Sequence, residues 1–295
     1  MKFIRDLHTE AAREGRPAVS FEFFPPKTVE GEGNLLGKTL PALLAARPDY
    51  CSVTYGAGGG TREKTLEIVE RIQREHGLTT MMHLTCVGST RADLERVVAE
   101  ARERGVLNVL ALRGDPPGGG AFVAQPGGFE FSRELVGFLR DAGGLCVGTA
   151  GFPEGHIACK AGREVDWGYL RDKVQAGADF IITQLFFDNR DFLEFREHLR
   201  GRLGVDVPII AGILPVLSRN QTKRFVELCG ARMPAEFLGR IDALGEDEAA
   251  VTAYGIEYAT RQCEELLAAG VDGLHFYTLN KAHSTASILR NLGRL

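Results

Sequence analysis

The sequence predicts an α/β fold, a (β/α)8 TIM barrel with parallel strands. Short apolar runs rich in β-forming residues alternate with amphipathic helical patterns from end to end, which is typical of βα units around a parallel sheet. Eight such units in 295 residues fit a closed barrel better than an open Rossmann sheet, which usually has about six strands. Gly105, Gly177 and Gly270 each end a helical pattern, and glycine accepts the left-handed cap that turns the chain into the next strand.

The predicted elements follow one another at regular spacing. The strands cover residues 18–24, 50–55, 80–87, 106–113, 144–150, 179–186, 207–213 and 271–277. A helix follows each strand, at 33–46, 61–76, 89–104, 131–142, 165–176, 189–200, 218–229 and 281–292. Residues 232–247 form a helical insertion before a long helix at 248–269. No low-complexity linker divides the chain, so we predict a single domain over residues 1–295.

Composition excludes several classes of protein. With 44% hydrophobic and 25% charged residues, the chain fits a soluble globular protein. A net charge of −4 without a basic stripe argues against nucleic acid as a partner. We expect neither secretion nor membrane insertion, because residues 1–6 have no apolar leader and no later apolar run is long enough. The six cysteines are widely spaced and lack a C-x-x-C pair, which fits a reducing cytoplasm.

Polar side chains gather where the first four strands end. Because side chains alternate between the two faces of a strand, one polar set shares a face: Ser20, Glu22, Ser52, Thr54, His83, Thr85, Arg113 and Asp115. The opposite face carries Phe21, Phe23, Val53, Leu84 and Leu112. In a (β/α)8 barrel the chemistry lies at the carboxyl ends of the strands, so we predict an active site there. The loop 115–130 lies on the same rim, and we expect it to act as a mobile cover.

Glu22 has two interpretations that the sequence leaves open. It is either a buried carboxylate paired with an arginine such as Arg113, or a general acid whose pKa is raised by apolar surroundings. Burial among Phe21, Phe23 and Phe24 would supply such a shift.

Four other polar residues are candidates with ordinary alternatives. Asp115 precedes a Pro-Pro pair and is either a turn residue or a site carboxylate. His83 fits a core histidine, and no second ligand lies at metal spacing, so we predict no metal. His156 is either exposed or in contact with an anionic ligand. The amide of Gln184 both donates and accepts, which suits the edge of a heterocycle.

Two glycine-containing segments are not nucleotide motifs. The segment 56–61 follows a strand, but Thr61 replaces the third glycine of a Rossmann fingerprint and the next strand carries no acidic residue. The segment 37–39 resembles the end of a P-loop, but Glu32 stands at the position of the required earlier glycine.

Seven segments, taken in order, resemble the methylenetetrahydrofolate reductase family. They are residues 21–26, 52–57, 83–86, 112–115, 182–184, 212–216 and 275–280. The resemblance implies a cytoplasmic flavoprotein of one-carbon metabolism that binds FAD and reduces 5,10-methylenetetrahydrofolate to 5-methyltetrahydrofolate. NAD(P)H first reduces the flavin and leaves, and folate then takes its place. It also implies the short form of the enzyme, without a C-terminal regulatory domain.

Two alternatives stay open: a flavin-free barrel enzyme, and a flavin-bearing subunit that receives electrons from a partner protein. NADH or NADPH preference and assembly into a homo-oligomer also stay open.

The resemblance assigns roles to individual residues. Glu22 matches the general acid and Asp115 the carboxylate near flavin and pterin. Flavin-binding positions correspond to Thr54, Tyr55, Ala57, His83, Arg113, Gly114, Asp115, Ser132, Phe152, His156, Asp166 and Lys173. Folate-side positions correspond to Glu22, Asp115, Gln184, Gln221, Phe225 and Lys281. Lys281 replaces an arginine, and lysine does not reproduce a bidentate guanidinium contact.

Overall fold

The computed structural model describes residues 1–55, 62–116, 118 and 120–295, without the side chains of Arg62 and of residues 221–225. Among the described residues, eight parallel strands pair in chain order and close into a barrel, with β8 beside β1. The strands are β1 Ala18–Phe23, β2 Tyr50–Val53, β3 Thr79–Thr85, β4 Asn108–Leu112, β5 Cys146–Gly151, β6 Phe180–Thr183, β7 Ile209–Ile213 and β8 Gly273–Tyr277. The predicted (β/α)8 fold class is confirmed.

Helices surround the barrel in the expected alternation. They are α1 Ile4–Arg13, α2 Val29–Asn34, α3 Leu40–Leu44, α4 Arg62–His76, α5 Arg91–Glu103, α6 Ser132–Ala142, α7 Arg163–Gln175, α8 Asn189–Gly201, α9 Arg219–Cys229, α10 Ala235–Leu244, α11 Glu248–Ala268 and α12 Ala282–Asn291. Helix α10 forms within the insertion, and α11 is the long helix after it. No helix in the described part of the chain combines the length and apolar character needed to cross a bilayer.

The helix expected at 33–46 is interrupted by a π-helical turn over Leu35–Thr39. The backbone N–H of Leu40 donates to Leu35 O, one residue further back than in an α-helix. Pro41 follows immediately and has no N–H to donate to the carbonyl of Gly37. The wider π turn is therefore a local response to the missing hydrogen bond.

Two apolar layers lie on either side of the sheet. Phe21, Phe23 and Phe276 point outward into the cluster shared with the helices. A smaller cluster fills the barrel interior, with Met81, Leu110, Cys146, Phe180, Ile182 and Ile210 from the strands and Ile4 and Leu7 from α1. Helix α1, which the sequence analysis did not predict, therefore packs against the interior at the amino-terminal end of the barrel. Because α1 covers the amino-terminal end, the polar carboxyl-terminal end of the barrel is the place where a binding site can form.

The sequence analysis placed Leu112 of β4 on the outward face with Phe21 and Phe23, and this prediction is wrong. Leu112 packs against the interior cluster, while Ala111 belongs to the outer layer. Arg113 and Asp115 come after the end of β4, and Gly114 between them has φ +79°. A Cβ at Gly114 would also lie 2.6 Å from the Val87 side chain. The chain turns there, so strand alternation does not place Arg113 or Asp115.

A polar residue stands two or three positions after each of three helix-ending glycines, and these polar side chains join neighbouring elements of the barrel. Gly105, Gly177 and Gly270 all have positive φ, as a left-handed helix cap requires. Asp179 Oδ2 accepts a hydrogen bond from the backbone of β5 at Val147, and Asp272 Oδ2 accepts one from β7 at Ile209. Asn108 Oδ1 accepts from Ile4 N, and its Nδ2 donates to the carbonyls of Lys2 and Thr80. Asn108 thereby ties α1 to the barrel.

Asn108→Ala should lower the free energy of unfolding by about 2–4 kcal/mol, because three hydrogen bonds of a buried side chain are lost and their partners stay buried. Urea denaturation measures this change. Asn291→Ala is the control, since that exposed side chain makes one bond, to Thr260; a change within about 0.5 kcal/mol is expected. Equal effects at both positions would contradict the proposed role of Asn108.

Candidate active site

Glu22 lies inside the barrel near the carboxyl end of β1, with 6% of its surface exposed. It pairs in register with Ser52 on β2 and Tyr277 on β8. The flanking Phe21 and Phe23 face the helices, as strand alternation dictates. The side chains of Phe21 and Phe23 therefore lie on the opposite side of the sheet from the Glu22 carboxylate.

Two buried histidines flank the Glu22 carboxylate. His83 Nε2 from β3 lies 3.4 Å from Glu22 Oε2, and His275 Nε2 from β8 lies 3.5 Å from the same oxygen. These distances are long for hydrogen bonds, so the contacts are mainly electrostatic. The Glu22 backbone carbonyl accepts a 2.7 Å hydrogen bond from Thr278 Oγ1, which fixes β1 against the end of β8.

The electrostatics of Glu22 differ from both expectations. Burial acts to raise its pKa, but contacts with His275 and His83 outweigh burial and hold the pKa below its usual value. The predicted upward shift is therefore wrong, because the carboxylate faces two imidazoles and not the phenylalanines. Arg113 is not its partner either, since that guanidinium lies over the Phe122 ring, 5.3 Å from the centroid. We infer that Glu22 is ionised at neutral pH in the ligand-free protein.

A second group of ionisable residues lies on the rim formed by the ends of β4 and β5 and by α7. Lys173 Nζ donates to Ala150 O at 2.8 Å, and Asp166 Oδ2 accepts from His156 N at 3.1 Å. The pKa of His156 is lowered, chiefly by burial, with Asp166 opposing and Arg113 and Lys173 adding to the shift. The rim therefore brings together most of the ionisable positions predicted for flavin binding.

Burial also shapes the other two groups of this rim. It lowers the pKa of Lys173 to about 8, against the opposing charge of Asp166. It raises the pKa of Asp166, against Lys173 and the His156 contacts. The Lys173 ammonium, with Asp166 as its charged neighbour, and the Arg113 guanidinium both act on His156, and together they give positive charge suited to phosphate oxygens.

The remaining flavin-side residues occupy the same end of the barrel. Thr54 and Tyr55 directly follow β2 and are buried, and Thr54 N donates to Phe23 O at 2.9 Å. The Phe152 ring lies 4.5 Å from the His156 ring, and the Phe152 carbonyl accepts from Trp167 Nε1. Ser132 begins α6, and Asp115 is exposed. Ala57 falls outside the described residues.

The folate-side predictions are described less completely. Gln184 follows β6, and its Oε1 accepts from Leu185 N at 2.9 Å, so the amide is folded back on its own backbone. Gln221 and Phe225 lie on α9, but their side chains are outside the described part. Lys281 is exposed immediately before α12. Of the side chains of Gln184 and Lys281, that of Gln184 therefore has a described hydrogen bond, and this bond holds the amide against the backbone.

The sequence analysis missed two residues beside Glu22. The first is His275. The second is Tyr277, whose hydroxyl donates to Thr183 O at 2.6 Å; burial, followed by the charge of Glu22, raises its pKa. Both point inward on β8, and the alternation of His275-Phe276-Tyr277 was the available signal.

Buried polar atoms at this end of the barrel lack partners within the described residues. They are Ser52 Oγ, Thr85 Oγ1, His83 Nε2 and His275 Nε2. An unsatisfied buried polar atom costs about 1–3 kcal/mol, so such a group indicates a place for a ligand or water. With the positive rim beside it, this interior fits a cofactor that combines a polar ring edge with phosphates.

A closed parallel barrel with ionisable groups at the carboxyl ends of its strands is the arrangement of (β/α)8 enzymes. The family model described as methylenetetrahydrofolate reductase matches residues 7–293, and the chain belongs to this family. This confirms the resemblance drawn from the seven segments.

Curated relatives agree with this assignment. Methylenetetrahydrofolate reductase (NADH) 1 of Arabidopsis thaliana is 41% identical over 98% of this chain and 50% of the relative. The 5,10-methylenetetrahydrofolate reductase of Escherichia coli (strain K12) is 37% identical over 95% of this chain and 92% of the relative. The chain thus spans about half the length of the plant relatives and nearly all of the bacterial one.

A solved structure shares the fold at low identity. An uncharacterized protein from Clostridium thermocellum, described as binding two copies of 5-methyl-5,6,7,8-tetrahydrofolic acid, superposes with a TM-score of 0.64. Its identity is 14%, and the match covers 97% of each chain. At this identity the likeness supports the barrel fold alone.

Proposed function

We propose that this chain catalyses the FAD-dependent reduction of 5,10-methylenetetrahydrofolate to 5-methyltetrahydrofolate with NAD(P)H. The observation that carries the proposal is the buried Glu22 carboxylate at the barrel mouth, between His83 and His275. Family membership supplies the substrate class, and the mouth supplies an acid–base group in a place where a substrate can reach it.

The rim supplies contacts for the cofactor. Arg113 and Lys173 would hold its anionic diphosphate, because cationic donors form strong hydrogen bonds to phosphate. His156, whose pKa is lowered, would donate to it as a neutral imidazole. Thr54, Tyr55 and His83 at the ends of β2 and β3 would contact its ring system. When bound, FAD would supply the hydride carrier, which no protein side chain can be.

The reduction also requires a proton, and Glu22, which is ionised in the ligand-free protein, would take one up when ligands cover the mouth and pass it to the substrate. Conversion of the methylene bridge to a methyl group consumes one hydride and one proton, since the departing ring nitrogen must be protonated for the five-membered ring to open. A positioned carboxylic acid performs such a transfer, with a typical contribution of roughly 10²–10⁴-fold. His83 and His275 hold the carboxylate in place. Asp115, exposed just after β4, would lie near the pterin of the entering folate.

An anaerobic titration tests the proposal. The purified protein should show flavin absorbance, bleach on addition of NADH or NADPH, and recover its colour with 5,10-methylenetetrahydrofolate while 5-methyltetrahydrofolate forms. A colourless protein without activity after addition of FAD would favour a flavin-free barrel enzyme. Flavin absorbance that neither nicotinamide bleaches would favour electron delivery by a partner protein.

Lys173→Met should weaken FAD binding about tenfold or more, because a charge-assisted contact contributes about 1.5–3 kcal/mol. In the unaltered protein the affinity should be constant below pH 8 and fall above it, since burial brings the pKa of Lys173 to about 8 and the free protein then loses the charge. Fluorescence titration of the FAD-free protein against pH measures both effects.

Lys160→Met is the matched control. Lys160 is exposed and donates to Ile157 O on the same rim, so its loss should leave FAD affinity and the pH profile unchanged. If Lys173→Met kept the affinity and the alkaline decline of the unaltered protein, Lys173 would not be a phosphate contact.

A further inference from the structure

Phe24, directly after β1, is an exposed aromatic residue close to Glu22 in the chain. It is 37% exposed, whereas Phe21 and Phe23 are completely buried. Phe24 also belongs to none of the apolar clusters that the described residues form. Single exposed apolar side chains are common on protein surfaces, so the direction of the Phe24 ring decides whether it has a role.

The backbone of Phe24 keeps its side chain on the inward face of the sheet. Pro25 follows, and the residue before a proline is held in an extended conformation. Asn280 pairs with Phe24 as a neighbouring strand would, because Phe24 N donates to Asn280 Oδ1 and Asn280 Nδ2 donates to Phe24 O, both at 2.8 Å. Strand alternation therefore continues past Phe23. Phe24 shares the face of Glu22 and lies about 7 Å further towards the mouth.

A turn after β8 holds the Asn280 side chain in this position. Leu279 and Asn280 have φ values of +52° and +57°, a left-handed conformation that is costly for leucine. Thr278 supports the turn, since its Oγ1 accepts from Asn280 N at 3.2 Å and donates to the Glu22 carbonyl at 2.7 Å. The same turn therefore fixes the backbone at both Glu22 and Phe24.

Three kinds of side chain succeed one another from the interior to the rim. Glu22 is the carboxylate inside the mouth, and the Phe24 ring comes next. Lys281 is exposed and cationic, and it begins where the turn ends, since its N–H donates to Thr278 O at 2.9 Å. An acid, an aromatic ring and a cation therefore stand in this order at the junction of β1 and β8.

The substrate of the proposed reaction carries matching groups in the same order. The nitrogen that departs when the five-membered ring opens bears a flat aminobenzoyl ring, and that ring bears a glutamate with negative carboxylates. A substrate that presents the nitrogen to Glu22 and a carboxylate to Lys281 must lay the aminobenzoyl ring between them, beside Phe24. Reduction of the flavin by NAD(P)H takes no proton from Glu22, so it has no need of this alignment.

We propose that Phe24 packs against the aminobenzoyl ring of folate and so aligns the departing nitrogen with Glu22, an inference that rests on the proposed function. Aromatic rings prefer offset-stacked or edge-to-face contacts, which give such a pair a defined geometry. Asn280 is a positioning residue that acts through Phe24, because its amide holds the Phe24 backbone on both sides. The aminobenzoyl ring is present before and during the reaction, so the contact should govern folate affinity more than the maximal rate.

Phe24→Ala tests the contact in stopped-flow experiments on the flavin-loaded enzyme. The 5,10-methylenetetrahydrofolate concentration that gives half the maximal rate of reoxidation should rise about tenfold, while the rate at saturation changes by less than about threefold. Reduction by NAD(P)H should keep its rate and its concentration dependence. Phe24→Tyr should keep the folate affinity because it keeps the ring. Phe24→Leu, which keeps apolar bulk without a ring, should not.

Asn280→Gly tests the positioning role separately. Glycine adopts a positive φ freely, so the turn is kept while the amide is lost. Folate affinity should fall, with flavin binding and reduction by NAD(P)H unchanged. When Asn280→Gly is combined with Phe24→Ala, the second change should add little, because Asn280 acts through the Phe24 ring. Full additivity of the two losses would contradict the positioning role.

Phe131→Ala is the matched control for losing an exposed phenyl ring. Phe131 is 50% exposed and precedes α6, and the β4–β5 side of the closed barrel lies opposite β8 and β1. Its loss should leave folate affinity unchanged. Unchanged folate affinity in Phe24→Ala, or an equal loss for NAD(P)H, in an enzyme that reduces folate normally would overturn this inference alone. An unaltered protein that binds flavin but never reduces folate would overturn the proposed function, and this inference with it.

Discussion

Glu22→Gln should slow the folate half-reaction by roughly 10²–10⁴-fold while FAD binding and reduction by NAD(P)H persist. Glutamine keeps the shape of the side chain, so the packing between β2 and β8 is retained. It has no proton to give to a departing nitrogen. It also removes the negative charge between His83 and His275, and the remaining amide can still accept from both rings.

Measuring the two half-reactions separately makes this prediction sharp. A general loss of folding or flavin would reduce both rates, whereas loss of the acid reduces the folate rate alone. Rapid mixing with detection of the flavin absorbance measures both rates, first for reduction by NADH or NADPH and then for reoxidation by 5,10-methylenetetrahydrofolate.

Glu32→Gln is the matched control. Glu32 is also a buried glutamate, at 8% exposure, but it lies on α2 and pairs with Lys64 and with Arg71 Nη1 at 2.6 Å. Its replacement should lower stability and leave both half-reactions intact. Full folate activity in Glu22→Gln would remove Glu22 from the mechanism, and the proposal would then lose the observation on which it depends.

The sequence predicted the barrel well because its strands and helices have distinct periodicities. It also placed the inward faces of β1, β2 and β3 correctly, since polar residues alternate with apolar ones there. In β4, Val109, Leu110, Ala111 and Leu112 are all apolar, so alternation carries no information. The face was extrapolated from Arg113 and Asp115, which lie beyond the strand, on either side of Gly114 in its left-handed conformation.

The electrostatics of the site were harder to predict, because they depend on strands far apart in the chain. The phenylalanines beside Glu22 in sequence suggested an apolar setting, but closure of the barrel brings His83 and His275 to the carboxylate instead. Helix α1 was missed for a related reason. It is a ten-residue helix ahead of the first strand, and only closure of the barrel creates the open end against which its apolar residues pack.

Gly212→Ala should destabilise the protein by about 3 kcal/mol or more, because the β6–β7 edge leaves no room for a methyl group. A Cβ at Gly212 would overlap the Thr183 carbonyl oxygen and lie 2.9 Å from the ring and hydroxyl of Tyr277. That carbonyl is backbone and accepts from the Tyr277 hydroxyl, while Gly212 N donates to Thr183 Oγ1. Relief of the overlap must therefore break one of these bonds or separate two strands of the barrel.

Gly137→Ala separates this close contact from the general effect of adding a methyl group. Gly137 lies in α6 with nothing within 4 Å of a new Cβ, so alanine should stabilise the helix by up to about 1 kcal/mol. Thermal and urea unfolding of both variants measure the contrast. Tyr277 pairs in register with Glu22, so a displaced Tyr277 ring should also slow the folate half-reaction of Gly212→Ala below that of Gly137→Ala. Wild-type stability in Gly212→Ala would mean that β6 and β7 separate without cost, and the glycine would then have no steric reason to stand beside Tyr277.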